Sequence, residues 1–133
     1  MTQKTALLRP DGLVHSPAFT HIAVVPPGAT TIYIGGQNAV DSDGQLIGAG
    51  DIAAQTQRTM HNLRIALAAA GATVHDLVML TICVVDGVDL TQAYPVAAAA
   101  LEGATPPVVV MRVAGLAVPG ALVEVSAVAA VTS

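Results

Sequence analysis

The sequence predicts an α+β fold: a mixed sheet of about six strands with two helices packed on one face. Three observations predict it. Apolar and small residues recur at helical spacing through residues 52–70. Val-rich segments bounded by Pro and Gly close the chain. The candidate elements follow the order strand, strand, helix, strand, helix, strand, strand, which suits neither an all-parallel nor an all-β design. No internal repeat, low-complexity stretch or linker divides the 133 residues, so the whole chain, 1–133, reads as a single domain.

Residues 1–14 read as a loose lead-in. Ile22–Val25 and Thr31–Gly36 are apolar strand candidates, and Pro26-Pro27-Gly28-Ala29 between them reads as a hairpin loop. Asp41-Ser42-Asp43-Gly44 is a second turn. The first helix starts at Asp51, a good cap, and ends before Gly71, which suits the left-handed position after a helix. Ile52, Thr56, Thr59, Met60, Leu63, Ala66, Leu67 and Ala70 form its inward stripe, with Gln57, Arg58, His61 and Arg64 opposite. Leu77–Val85 is a central strand, with Val78, Leu80, Ile82 and Val84 on a uniformly apolar face and Met79, Thr81, Cys83 and Val85 on a mixed one. Leu90–Leu101 is an Ala-rich second helix capped by Asp89, with Pro95 in or near its first turn.

The closing strands run from Pro106 to Val113 and from Leu122 to Ala129. Alternation puts Leu122, Glu124, Ser126 and Val128 on one face and Val123, Val125, Ala127 and Ala129 on the other. A carboxylate in so apolar a strand is costly to bury alone. Glu124 therefore either faces water or lines a cleft.

Composition narrows the function. The chain is 53% hydrophobic and 11% charged, with mean hydropathy +0.67. A chain this long buries roughly two-thirds of its unfolded surface on folding. The excess apolar surface points to an interface between subunits, since monomers rarely leave large patches bare. No apolar run reaches the ~18 residues of a membrane span. Met1-Thr2-Gln3-Lys4 lacks the apolar core of a secretory leader. A single cysteine, Cys83, excludes an internal disulfide and fits a cytoplasmic address. The net charge is −4, the five cations are scattered and there are three aromatics, so no basic, ring-bearing surface for nucleic acid is visible.

Several segments resemble the YjgF/RidA family of small trimeric proteins, also called the endoribonuclease L-PSP family. The closing Leu122-Val123-Glu124-Val125 strand resembles the family's last strand, with its pocket glutamate at Glu124. Ile32-Tyr33-Ile34-Gly35-Gly36-Gln37 resembles its early strand. Gly50-Asp51, Gln55-Thr56, Asn62-Leu63 and Ala70-Gly71 are similar to its first helix, and Asp76 to Val84, ending at Asp86, to its central strand. The likeness covers about Ser16 to Val131. It implies the RidA form of the chorismate mutase-like fold, a homotrimer, and a small-molecule ligand in each inter-subunit cleft. Glu124 would be the catalytic residue there, lined by Phe19, Gly35, Gly36, Val108 and Val110. Family deaminases hydrolyse enamines or imines, such as 2-aminoacrylate, without metal or organic cofactor.

One departure weighs against the standard substrate. Deaminating members carry an arginine just after the Pro-x step that opens the penultimate strand, where it grips a substrate carboxylate. Here that position is Val108. Arg112 shares its strand face but stands roughly 13 Å along it, so a replacement clamp would have to come from Arg9 or Arg58 of another subunit. Three readings follow: an imine hydrolase for less acidic substrates, a non-catalytic metabolite-binding or regulatory trimer, or an endoribonuclease, against which the charge balance argues. Cys83 reads as an inert packed thiol. His15, His21, His61 and His75 have no metal-ligand spacing, and of these only His21 is a candidate proton carrier.

Overall fold

The computed structural model describes residues 3–132. Its strands are β1 (Ala6–Leu8), β2 (Ile22–Val24), β3 (Thr30–Gln37), β4 (Leu77–Val85), β5 (Val108–Val113) and β6 (Val123–Val131), and its helices are α1 (Ile52–Ala69) and α2 (Leu90–Ala100). Six strands and two helices match the expected α+β class. Hydrogen bonding divides the strands into a four-stranded mixed sheet in the order β3-β6-β4-β5 and a separate β1-β2 ribbon. The β4–β5 pair is parallel and bridged by α2, whereas β6 runs antiparallel to both β3 and β4.

Two local expectations are corrected. The lead-in is not loose, because Ala6–Leu8 pairs antiparallel with Ile22–Val24. That pairing uses the strand that was to form a hairpin with the next one. Pro26 to Gly28 therefore carry the chain from ribbon to sheet, and the extra partner came from a segment too short to show periodicity.

Helix α1 forms where its caps predict. The Asp51 carboxylate accepts from Ala54 N–H at 3.1 Å. Gly71 takes φ +76°, with Ala72 N–H reaching Leu67 O and Gly71 N–H reaching Ala68 O, a Schellman end. Met60, Leu63 and Leu67 are fully buried against Leu80, Val84, Val123 and Val125, each such side chain stabilising the fold by about 1.5–3 kcal/mol. Two details of the stripe differ. Ala70 is exposed, because the chain has already left the helix there. Gln55 is fully buried, because its amide has backbone partners. Pro95 sits inside α2 rather than in its first turn. Its ring costs the helix one bond, to Thr91 O, at an exposed surface.

The sheet has a covered and a bare face. Val123, Val125, Ala127 and Ala129 are buried under the helices, and the alternate residues of β6 through Val128 are half-buried. Register carries the bare face across the sheet through the pairs Tyr33–Val128, Thr81–Ser126, Cys83–Glu124 and Cys83–Met111. Tyr33 is 80% exposed there, and Met79, Val109 and Met111 are also exposed. No helix of the described residues is long and apolar enough to cross a membrane.

Candidate functional site

Glu124 stands on the bare face, half-buried, opposite Cys83 of β4. On its other side β3 breaks register between Ile34 and Gln37, so that Gly35 and Gly36 form a bulge. The reason for a glycine at 36 is steric. A Cβ there would lie 2.7 Å from Glu124 Cδ and 2.8 Å from Oε1, closer than real Cβ atoms approach. The carboxyl group therefore rests against bare backbone beside the bulge. Cys83 is not packed away as expected. It is half-buried on this same face, in register with both Glu124 and Met111.

Buried amides hold the strand that carries Glu124. Gln55 Oε1 accepts from Leu122 N–H at 2.8 Å, and Gln55 Nε2 donates to Gly120 O at 3.1 Å and Gly48 O at 3.2 Å. Asn38 Nδ2 donates to Val123 O at 3.1 Å. Asn62 Nδ2 in turn donates to Asn38 O and Val40 O, both at 2.8 Å. The start of β6 is thus tied to α1 and to the loop after β3. Sequence reasoning left Gln55 off the stripe, although it lies three residues after Ile52 and four before Thr59. Its helical phase was the available signal, and its polarity argued the other way.

Phe19, Val108 and Val110 lie elsewhere. Val108 and Val110 pair with Leu80 and Ile82, which point toward the helices. With Phe19, Tyr94 and Leu101 they line an apolar pocket of about 480 Å³ between α2 and β5. Within one chain the sheet separates this pocket from Glu124, so the predicted lining falls into two sets on opposite faces. Arg9 braces the pocket's outer segment, with Nε bonding Ser16 O at 3.0 Å and Phe19 O at 3.2 Å. Arg58 lies on α1 and donates to Asn62 Oδ1, while Arg112 donates to Val88 O. His21 Nε2 is engaged by Val14 O at 2.7 Å, with Phe19 packed edge-on at 5.5 Å. Among the described residues no group of three or more His, Cys, Asp or Glu is placed to hold a metal ion.

Two helices over one face of a four-stranded mixed sheet, with a glycine bulge and an acid on the other face, define an open-faced α+β protein. The profile of the family described as Endoribonuclease L-PSP matches residues 15–131. The Rid-family protein YyfB of Yersinia pestis is 32% identical and superposes with a TM-score of 0.86, covering 97% of this chain and 100% of that one. A Mycobacterium tuberculosis member of the YjgF/YER057c/UK114 family is 28% identical over 96% of this chain and 100% of its own, with a TM-score of 0.60. RidA of an Antarctic Psychrobacter shares the fold at 24% identity, with a TM-score of 0.69 and coverage of 89% and 98%. The chain belongs to the L-PSP, or YjgF/RidA, family.

Proposed function

We propose that this protein works as a homotrimer that binds a small, weakly acidic or neutral enamine or imine between subunits and hydrolyses it. The observation that carries the reading is the Glu124 carboxyl group resting against the bare backbone of Gly36 on an uncovered sheet face. The two halves of the expected lining lie on opposite faces of one chain. A shared cleft therefore needs the Glu124 face of one copy set against the Phe19–Val108 pocket of the next. In that cleft Glu124 takes a proton from water as the water oxygen bonds to the C=N carbon. Glu124 hands that proton to the nitrogen, then relays the adduct's hydroxyl proton to it as the carbonyl forms and the C–N bond breaks, so that ammonia or an amine leaves with both protons of the water. An enamine enters after protonation at carbon.

Val108 sets the preference among substrates. A charged hydrogen bond to a carboxylate is worth about 1.5–3 kcal/mol, so its loss disfavours acidic substrates by about tenfold or more. The test is release of ammonia and carbonyl product from a panel of neutral and carboxylated imines. Glu124→Ala should abolish turnover while leaving the fold intact, and equal rates for the two proteins would remove Glu124 from the chemistry.

Val108 also favours a second reading, a non-catalytic metabolite-binding or regulatory trimer. Val108→Arg distinguishes the two. Appearance of 2-aminoacrylate hydrolysis means that the clamp alone was missing, and no gain points to a pocket rebuilt for binding.

A further inference from the structure

The outer surface of the helix layer carries a feature that the Glu124 chemistry does not use. Between α1 and α2 runs an open groove of about 840 Å³. Arg58, His61 and Arg64, spaced three residues apart on α1, line it together with the apolar Val96, Ala99 and Ala100 of α2. Two of the five Lys and Arg residues of a chain with net charge −4 are thus gathered in one groove, and no carboxylate lines it.

Both guanidiniums have donors to spare. Each carries five N–H groups. Arg58 commits Nε to Asn62 Oδ1, and Arg64 commits one Nη to Glu102 Oε1. The Arg64–Glu102 pair is about half exposed, at 49% and 48%. Such a pair contributes at most about 1 kcal/mol, so an incoming carboxylate can displace Glu102 at little cost.

We infer that this groove docks an acidic amphipathic helix from a partner protein. Charge complementarity selects an acidic ligand, and the mixed lining selects one with an apolar ridge beside its acids. The 11 residues of α2 offer about 16 Å of groove, enough for three turns of a docked helix. Small side chains at Ala99 and Ala100 let its backbone approach. An RNA strand fits less well, because no Phe, Tyr or Trp ring lines the groove for bases to stack on and only the His61 imidazole is there.

Fluorescence anisotropy tests this with a labelled peptide of about four helical turns, bearing Leu at i, i+3, i+4 and i+7 and Glu on the flank. The controls are its Glu→Gln version and a labelled oligouridylate. The Glu peptide should bind the full-length protein, at least about tenfold more weakly once added salt shortens the Debye length from about 10 Å to about 3 Å. The Arg58→Glu/Arg64→Glu double variant should weaken it by a similar factor. Ala99→Trp, at an exposed position, should do so by filling the groove without touching a charge. Glu124→Ala should bind the peptide like the wild type, so this test stands apart from that of the hydrolase. The inference is overturned by no peptide binding, by equal affinity for the Glu and Gln peptides, by insensitivity to both groove variants, or by oligouridylate binding more tightly than the peptide and being lost in the double variant.

Discussion

Gly36 and Glu124 are one unit. The glycine has no left-handed backbone that would demand it, so the requirement comes from the acid lying where a Cβ would be. Gly36→Ala should therefore leave the fold nearly intact, because the obstructing atoms are the far end of a flexible side chain. It should also push the carboxyl group aside. Hydrolysis of a neutral imine should drop to the level of Glu124→Ala, with a Tm within a few degrees of wild type. Wild-type turnover in Gly36→Ala would show that the placement of the carboxyl group is immaterial. Glu124 was visible in the sequence because a charge interrupts an apolar alternation. The meaning of Gly36 was not, since the contact between positions 36 and 124 depends on the register of two strands far apart in the chain. The same limit left open how Val108 and Glu124 stand to one another within one chain. Alternation assigns faces within a strand but not between strands, and the structure sets these two on opposite sides.

At the scale of elements, Gln55 links α1 to the start of β6. Gln55→Leu keeps the volume but leaves Leu122 N–H and two carbonyls without their partner. Each buried group left unsatisfied costs about 1–3 kcal/mol, so with three of them Tm should fall by about 10 °C or more. Gln55→Glu should not rescue it, because a carboxylate would face the carbonyls of Gly48 and Gly120. A Tm equal to wild type for Gln55→Leu in a thermal melt would mean that the network is dispensable. Helix α2 carries a pH-dependent cap. The Asp89 carboxylate is held below the ordinary aspartate range by the Thr91 hydroxyl first, then by Thr91 N–H, with a smaller pull from Arg112. A folded pKa below the unfolded one means that the cap's contribution is full above the unfolded value, about 4, and is lost as pH falls through the folded one. Asp89→Asn keeps an acceptor for Thr91 N–H without titrating. Its Tm should vary less with pH than wild type below about pH 4, and parallel profiles would exclude the cap as a source of acid sensitivity. Both helices were legible because their caps and stripes are local signals. β1 was not, because three residues carry no periodicity and its partner lies 14 or more residues away.

The whole molecule is lopsided. One sheet face is roofed by two helices. The other presents Tyr33, Met79, Val109 and Met111 at 80%, 37%, 42% and 44% exposure, on a chain with 11% charged residues. Composition alone predicted excess apolar surface, and the register puts part of it beside Glu124, while Leu8, Val14, Ile22 and Val24 expose more of it on the lead-in and the β1-β2 ribbon. Covering that face with further copies removes apolar area from water at about 25 cal/mol per Å². As the proposed homotrimer, the chain should sediment near 40 kDa, about three times its 13.3 kDa. Met111 tests the link between assembly and site. It is exposed on the edge strand β5 and pairs with Cys83, the neighbour of Glu124. Met111→Glu costs a lone chain little, since its side chain already reaches water. In an assembly it would bury a charge without a partner, at a cost of several kcal/mol. It should shift the sedimenting species toward the monomer mass, keep the wild-type far-UV circular dichroism, and lose imine hydrolysis together with assembly. A Met111→Glu protein that stays near 40 kDa would place the interface on another surface. One that is monomeric yet fully active would show that a single chain completes the cleft.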